Sequence, residues 1–186
     1  PAPIVTLLVG AETEKSEFND NFGSVDPARI DSVFGTVSVR PVGGVTLNAG
    51  LRHGSHTDFG NRTSFSASGA WVLGENAPTL RASYGEGFKA PSLYQLYTNT
   101  GFAALRPELA KAYDIGIEQP FAQGKGKMSL TWFDRTTRNL IDFDFATFTY
   151  YNIGSTRSQG IEASAEVSDW NGFDAQLSYT WLDAIN

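Results

Sequence analysis

Residues 161–167 read IEASAEV, and residues 173–181 read FDAQLSYTW. In the first stretch, isoleucine, alanine and valine alternate with glutamate and serine. In the second, apolar and aromatic residues alternate with aspartate, glutamine, serine and threonine. Residues two apart share one face of an extended strand. The alternation therefore predicts two β-strands, each with an apolar face and a polar face.

The same alternation recurs along the chain, whereas helical periodicity is nearly absent. It predicts an all-β fold, an antiparallel up-and-down meander of about nine to ten long strands. The nine strands that we place run roughly over 4–16, 29–40, 44–56, 62–73, 79–87, 110–119, 127–141, 156–168 and 173–184. Most exceed the 5–6 residues usual in soluble proteins and reach the 9–11 that a tilted strand needs to cross a membrane.

The connections are expected to alternate between short turns and longer loops. The predicted turns are 41–44, 74–78, 120–124 and 169–172, and the predicted loops are near 17–28, 57–61, 88–109 and 142–155. Transmembrane β-barrels of the bacterial outer membrane have short turns on one rim and long loops on the other. Charged residues in mid-strand, such as Arg52, Glu118, Glu162 and Glu166, then require a hydrated lumen. The apolar face would contact lipid.

Composition excludes several other classes of protein. The 186 residues contain no cysteine, which rules out a disulfide framework and a thiolate metal site. The formal net charge is −6 without a basic run, so we expect no nucleic-acid partner. No apolar run is long enough for a membrane-spanning helix, and no signal peptide is expected before Pro1. The opening Pro-Ala-Pro and the odd strand count suggest a portion of a longer protein.

Short sequence motifs over residues 79–184 carry a family resemblance. They are Leu80–Tyr84, Gly87–Pro91, Leu93–Tyr97, Leu105–Glu108, Ala112–Glu118, Trp132–Phe133, Asn139–Ile141, Tyr151–Gly154, Gln159–Glu162 and Leu177–Asp183. In this order they resemble the barrel of a TonB-dependent outer-membrane receptor, of the vitamin B12 and siderophore receptor type. Residues 1–78 agree with that family only in their strand pattern.

The resemblance implies that residues 1–186 are a partial transmembrane β-barrel in the bacterial outer membrane. The plug domain and the remaining strands are absent, so the chain would form about two fifths of a 22-stranded wall. The implied function is TonB-dependent uptake of cobalamin or a ferric siderophore, with no enzymatic activity and no cofactor. The implied partners are outer-membrane lipid, the nutrient complex, and TonB through the absent N-terminal region. Two alternatives are an outer-membrane barrel enzyme, a protease or lipase, and a soluble carbohydrate-binding β-sandwich.

Two aromatic segments are candidate ligand-binding loops, because flat rings give contact area at little entropic cost. The predicted binding residues are Tyr94, Gln95, Tyr97, Asn99 and Phe102 in the first segment, and Phe148, Tyr150 and Tyr151 in the second. Covering the barrel mouth is an equally open role for the first segment. In the second, Phe143 and Phe145 alternate with aspartates, which suggests a hairpin rising above the membrane.

Prolines mark the two corners at which the first aromatic segment leaves and rejoins the wall. The residue before a proline is extended, and proline donates no ladder hydrogen bond. We therefore expect structural corners formed by Phe88, Pro91, Arg106, Pro107 and Glu108. His53 and His56 lie three apart, with Asp58 close by, but this spacing sends the two rings to opposite faces of a strand. No metal site and no catalytic residue are expected.

Overall fold

The computed structural model describes residues 4–20, 23–102, 104–170 and 172–185. These residues form one antiparallel sheet of nine strands in chain order. The strands are β1 (Val5–Asp20), β2 (Gly23–Val39), β3 (Val45–His56), β4 (Gly60–Val72), β5 (Thr79–Lys89), β6 (Glu108–Phe121), β7 (Gly126–Asp144), β8 (Thr149–Trp170) and β9 (Phe173–Ile185). One short helix, α1 (Leu93–Tyr97), lies between β5 and β6, and a 3₁₀ turn (Ala122–Gly124) precedes β7. Over the described residues, no helix is both long and apolar enough to cross a membrane.

The predicted all-β meander is confirmed, but two of the predicted loops are mostly strand. Residues 17–20 and 23–28 continue β1 and β2. The β1–β2 register shifts between the pairs Ser16–Ala28 and Phe18–Val25, which leaves Asp26 and Pro27 in a bulge. A bulge tolerates a residue without an N–H group. The proline therefore interrupts the ladder locally and does not end the strand.

The predicted loop 142–155 is the end of a long hairpin, as the alternation of Phe143 and Phe145 with aspartates suggested. β7 and β8 pair as far as Asp144 and Thr149, so the turn is only 145–148. The predicted loop 88–109 contains α1, which the sequence reading missed. Since α1 covers only residues 93–97, it is too short to produce a helical period in the sequence.

The apolar face of the sheet is not covered by any described part of the chain. Ile115 and Leu177, both in mid-strand, are 60% and 72% exposed. The buried apolar residues are Ala28, Leu93, Leu96 and Leu105, all at or beside the loop that contains α1. Because an uncovered apolar sheet face must meet something other than water, this arrangement fits a wall in lipid and contradicts a two-layer sandwich.

The polar face carries paired charges, as the mid-strand charges predicted. Arg52 contacts the Glu12 carboxylate at 2.8 Å and the Ser32 hydroxyl at 3.1 Å. Further along the sheet, Lys127 lies 3.9 Å from Glu118 and 3.1 Å from Glu166. These groups are part-exposed, which is the environment of a hydrated lumen.

The boundary between apolar and polar residues on the apolar face runs obliquely across the sheet. One row of cross-strand partners leads from Trp181 on β9, through Trp132 on β7, to Val5 on β1. On β9 the boundary lies just beyond Trp181, but on β1 it lies beyond Ala11, six residues past Val5 (11 − 5 = 6). The offset along the strands is six residues at about 3.3 Å each, and the distance across the sheet from β9 to β1 is the strand spacings at about 4.8 Å each. The ratio of these two lengths means that the strands tilt by about 30° from the direction perpendicular to the boundary. Barrel strands in membranes tilt by about 35–45°.

A glycine on the polar face of β8 allows an aromatic ring to lie against the sheet. Gly160 is buried, and a Cβ atom there would lie 2.7 Å from the Phe133 ring and in conflict with the Trp181 carbonyl oxygen. We therefore expect Gly160→Ala to lower the free energy of unfolding by about 1–3 kcal/mol. Gly154→Ala on the same strand is the matched control, since a Cβ there meets nothing within 4 Å. Equal thermal stability of the two variants in detergent would contradict this packing.

Candidate site at the long loop

The long loop, residues 90–107, begins and ends at an ion pair. Lys89 Nζ lies 3.0 Å from Glu108 Oε1, and the same carboxylate oxygen accepts the Ile141 N–H at 3.4 Å. Pro91 is buried where the loop leaves β5, and the Pro107 carbonyl accepts Asn139 Nδ2 at 3.3 Å where it returns. The predicted corner residues thus lie at the base of the loop.

Helix α1 holds the first half of the long loop against the polar face of the sheet. Ser92 and Gln95 form a reciprocal capping box, in which Ser92 Oγ accepts the Gln95 N–H and Gln95 Oε1 accepts the Ser92 N–H. Such a box satisfies backbone donors that a short helix leaves unpaired. α1 contacts β1 and β2, and Leu93 and Leu96 are 6% and 5% exposed. The long loop therefore reaches across the polar side from β5 to β1.

Asn152 on β8 ties the second half of the long loop to the β7–β8 hairpin. Its Oδ1 accepts the Arg106 N–H at 2.8 Å, and its Nδ2 donates to the Arg106 carbonyl at 3.0 Å. Nδ2 also donates to the Asn139 carbonyl at 2.7 Å. Asn152 thus satisfies both backbone groups of Arg106, as a neighbouring strand would. Nearby, the Tyr150 N–H donates to the Thr100 carbonyl at 3.2 Å.

A chain of aromatic contacts joins β1, α1 and the β7–β8 hairpin. Tyr94 meets Phe18 and Tyr150 edge to face, with ring centroids 5.8 and 6.3 Å apart. Tyr150 then lies 5.0 Å from Phe143, which also contacts Phe145 at 5.1 Å and Phe148 at 6.3 Å. Each such pair contributes about 0.5–1.5 kcal/mol beyond burial of area. The two predicted aromatic segments are therefore brought together in one surface.

The predicted binding residues differ in how freely they can meet a ligand. Tyr94, Tyr97 and Phe102 are each about half-exposed, and Phe148 is 63% exposed. Asn99 is exposed and Gln95 is half-buried in the capping box, while Tyr150 is half-buried among the rings. Tyr151 follows Tyr150 on the same strand, so its side chain lies on the opposite face of β8, away from the long loop.

The turn of the hairpin is held by one carboxylate. Asp144 accepts the Ala146 N–H and the Thr147 hydroxyl, each at 2.8 Å. The Ala146 N–H first, and then the Thr147 hydroxyl, hold the pKa of Asp144 below its ordinary value. A lowered carboxyl pKa means that these bonds stabilise the turn at neutral pH and are lost as the pH falls through that pKa. The exposed rings Phe145 and Phe148 depend on this turn for their position.

The two histidines lie on opposite faces, as their spacing predicted. His53 Nδ1 contacts the Thr63 hydroxyl at 2.8 Å, whereas the buried His56 ring packs on Phe59 and accepts the Asp58 N–H at 3.0 Å. Within the described ranges, no group of three or more histidine, aspartate or glutamate side chains is placed to hold a metal ion. The surface offers rings and amides for binding.

Sequence reasoning found the rings but missed the residues that position them. The motif Tyr151–Gly154 contains Asn152 without indicating its role, and the predicted loop near 17–28 contains Phe18. The pair Ser92 and Gln95, three apart directly after Pro91, was the one available signal for α1. Nothing in the sequence indicated that Asn152 would contact Arg106, 46 residues away.

Comparison with known proteins agrees with this architecture. Residues 7–186 match the family model described as TonB dependent receptor-like, beta-barrel. The siderophore receptor PirA from Pseudomonas aeruginosa is 26% identical, with a TM-score of 0.88 over 97% of this chain and 37% of that protein. The ferric enterobactin receptor PfeA from Pseudomonas aeruginosa is 21% identical, with a TM-score of 0.82 over 96% of this chain and 33% of that protein.

PirA from Acinetobacter baumannii, another siderophore receptor, has the same fold. It is 19% identical, with a TM-score of 0.81 over 96% of this chain and 34% of that protein. The chain thus spans about a third of the length of each of these receptors. With its nine-stranded meander and its match over nearly the whole chain, the protein belongs to the TonB-dependent receptor β-barrel family, whose members lie in the bacterial outer membrane.

Proposed function

We propose that this chain is a barrel portion of a receptor that takes up a ferric siderophore across the outer membrane in a TonB-dependent manner. The observation that carries the proposal is the surface of exposed rings at one end of the wall. Tyr94, Tyr97 and Phe102 lie on the long loop and Phe148 lies on the β7–β8 hairpin. Edge-to-face contacts connect Tyr94 to Phe148 through Tyr150 and Phe143. The likeness to PirA, itself a siderophore receptor, supports the same conclusion.

We propose further that residues 1–186 are one part of a closed barrel. β1 and β9 are the two ends of the described sheet, and each pairs with a neighbour on one side only. Lipid cannot satisfy the free backbone groups of an open edge, so further strands are needed on both sides. Nine strands are about two fifths of a 22-stranded wall. In this arrangement, TonB acts through an N-terminal region that lies outside this chain.

The predicted binding residues form two groups. Some are placed to contact the ligand, and others hold α1 and the hairpin in position. The exposed rings offer faces to a flat chelate, and the exposed Asn99 amide can both donate and accept hydrogen bonds. Gln95 keeps α1 in position through its capping bond, and Tyr150 joins α1 to the hairpin. Tyr151 would meet only a ligand that reaches over the rim of the barrel. Outer-membrane lipid contacts the apolar face of the strands.

Cobalamin is the competing ligand, and binding to the complete receptor distinguishes the two. We expect the purified receptor to bind a ferric siderophore, measured by quenching of tryptophan fluorescence, and to leave cyanocobalamin unbound. Cells that depend on the receptor should accumulate ⁵⁵Fe from the chelate only when TonB is present. Saturable binding of cyanocobalamin without binding of any ferric chelate would overturn the siderophore assignment.

A change at Tyr94 tests whether the ring surface is the binding site. Tyr94→Ala removes contacts with Phe18 and Tyr150, each of which is an edge-to-face pair. We expect the affinity for the ferric chelate to fall about tenfold, which corresponds to about 1.4 kcal/mol. Tyr94→Phe keeps the ring and should bind within about twofold of the wild type. Equal affinities for all three proteins would place the site elsewhere.

A further inference from the structure

The wall contains a seam between β4 and β5. Their ladder runs from the pair Val72–Thr79 only as far as Ser66–Gly85. Beyond that pair, β4 continues to Gly60 along β3, and β5 continues to Lys89 along β6. The two strands therefore separate in the half of the wall that lies toward the long loop.

Side chains fill the seam where the backbone ladder ends. The Glu86 carboxylate accepts the Phe65 N–H at 3.2 Å and the Tyr84 hydroxyl at 2.6 Å, and it lies 3.4 Å from Lys111 Nζ. The Arg62 guanidinium lies 5.8 Å from the centroid of the Phe88 ring. Arg62 and Glu86 both line a cavity on the polar side and a second cavity on the apolar side. The seam thus joins the two sides of the wall through polar groups.

The cavity on the apolar side, which we call the seam notch, is lined by Arg62, Thr63, Glu86, Lys111 and Arg138 among others. It holds three cationic side chains against one carboxylate, although the chain as a whole has a net charge of −6. Within the described residues, neither Arg62 nor Arg138 forms an ion pair with a carboxylate. Residues two apart in a strand direct their N–H groups to the same side. Because the Phe65 N–H points toward β5, the Thr63 N–H does so as well.

Two other cations on the apolar side, toward the same rim, are each paired with a carboxylate. Arg29 contacts Asp31 at 2.9 Å, and Arg157 donates to the Asp134 carboxylate. These pairs leave no excess charge for an anion. The seam notch is different because its cations outnumber its carboxylates and because it is concave. Guanidinium and ammonium groups gathered in this way suit the oxygens of a phosphate group.

The position of the seam notch identifies the source of the phosphate. Below the notch lie the upper aromatic residues of the wall, Phe65, Tyr84 and Tyr113, whose rings contact one another in series. Aromatic rings of this kind mark the membrane interface, so the notch lies level with lipid headgroups. We propose that the seam notch binds a phosphate group on the headgroup of an outer-leaflet lipid, which stabilises the wall where the β4–β5 ladder is open.

Lipid retention by the complete receptor tests this proposal. The receptor is purified in detergent, incubated with diphosphoryl lipid A, and examined by native mass spectrometry. We expect a bound lipid in the wild type and at least a tenfold loss of that species in Lys111→Gln/Arg138→Gln. Dephosphorylated lipid A should bind no better to the wild type than to the double variant. Equal retention of diphosphoryl lipid A by the two proteins would overturn the proposal.

Two controls separate the seam notch from general charge effects. Arg29→Gln changes a paired cation at a similar level, and Lys125→Gln changes a cation at the opposite end of the wall. Both variants should retain the lipid as the wild type does, and loss in either would count against a local site. If millimolar inorganic phosphate displaces the lipid completely, the notch is a free-anion site and the lipid assignment is wrong. Ferric chelate binding should be unchanged in the double variant, which also shows that the protein is folded.

Discussion

Leu130→Arg is expected to lower the stability of the complete receptor in lipid vesicles by about 2–4 kcal/mol. Leu130 lies on the apolar face, between Ile117 on β6 and Ala163 on β8, and is 51% exposed in the described sheet. It lies about midway between Phe121 near the turn rim and the upper aromatic residues. An arginine near the bilayer midplane costs about that amount on a barrel's lipid face. Urea-dependent unfolding in vesicles measures the change.

The adjacent residue supplies the matched control. Ser129 lies on the polar face, where its hydroxyl contacts Ser164 at 2.7 Å and its strand partner is Glu118. Ser129→Arg should change stability by less than about 1 kcal/mol, since the side chain enters the lumen beside a carboxylate. Outer-membrane assembly in cells should follow the same order. Equal losses in both variants would show that the two faces do not differ in environment.

Asn152→Ala is expected to release the long loop from the β7–β8 hairpin. The change removes three hydrogen bonds to backbone groups, two to Arg106 and one to Asn139. At about 1 kcal/mol each, loss of the two bonds to Arg106 weakens the loop's contact with the hairpin by about 2 kcal/mol. We expect faster hydrogen exchange at the Arg106 amide and lower affinity for the ferric chelate, while the strands exchange as before.

Asn152→Asp separates the two hydrogen-bonding roles of this side chain. The carboxylate still accepts the Arg106 N–H but cannot donate to the Arg106 and Asn139 carbonyls. Exchange of the Arg106 amide should therefore stay close to that of the wild type in this variant, although the loop is less firmly held. Unchanged exchange in Asn152→Ala would mean that other contacts, such as the aromatic chain through Tyr94, hold the loop without Asn152.

The sheet was predictable because its two faces differ along every strand. A residue on β9 such as Leu177 and one on β3 such as Leu47 obey the same alternation, so strand number, order and faces follow from local pattern. Strand ends were less predictable. The segment 17–28 was predicted as a loop and is mostly strand, because the bulge that accommodates Pro27 depends on the register of β1 against β2. The β7–β8 extension depends on cross-strand contacts such as Phe143 with Tyr150.

The candidate site was predictable only in its residue types. Aromatic residues in 92–104 and 142–151 indicated two loops. That the two segments contact each other depends on interactions between distant parts of the chain, which the sequence does not show. Asn152 and Arg106 are an example. Neither residue type nor spacing predicts that an amide side chain would bond to both backbone groups of Arg106 in the way that a neighbouring strand does. The seam notch is another. Lys111 and Arg138 are neighbours on the paired strands β6 and β7, but the cavity that they line with Arg62 lies where the β4–β5 ladder has ended, beyond Ser66.

One face of this sheet meets lipid and the other meets water. Spin labels placed singly at residues 112–118 of β6 in the complete receptor, reconstituted in vesicles, test this difference directly. Labels at 113, 115 and 117 should be accessible to oxygen, and labels at 112, 114, 116 and 118 to a water-soluble nickel complex. We expect this two-residue alternation over the whole segment. Low accessibility to both reagents at every position would indicate a dry interior between two protein layers and would contradict it.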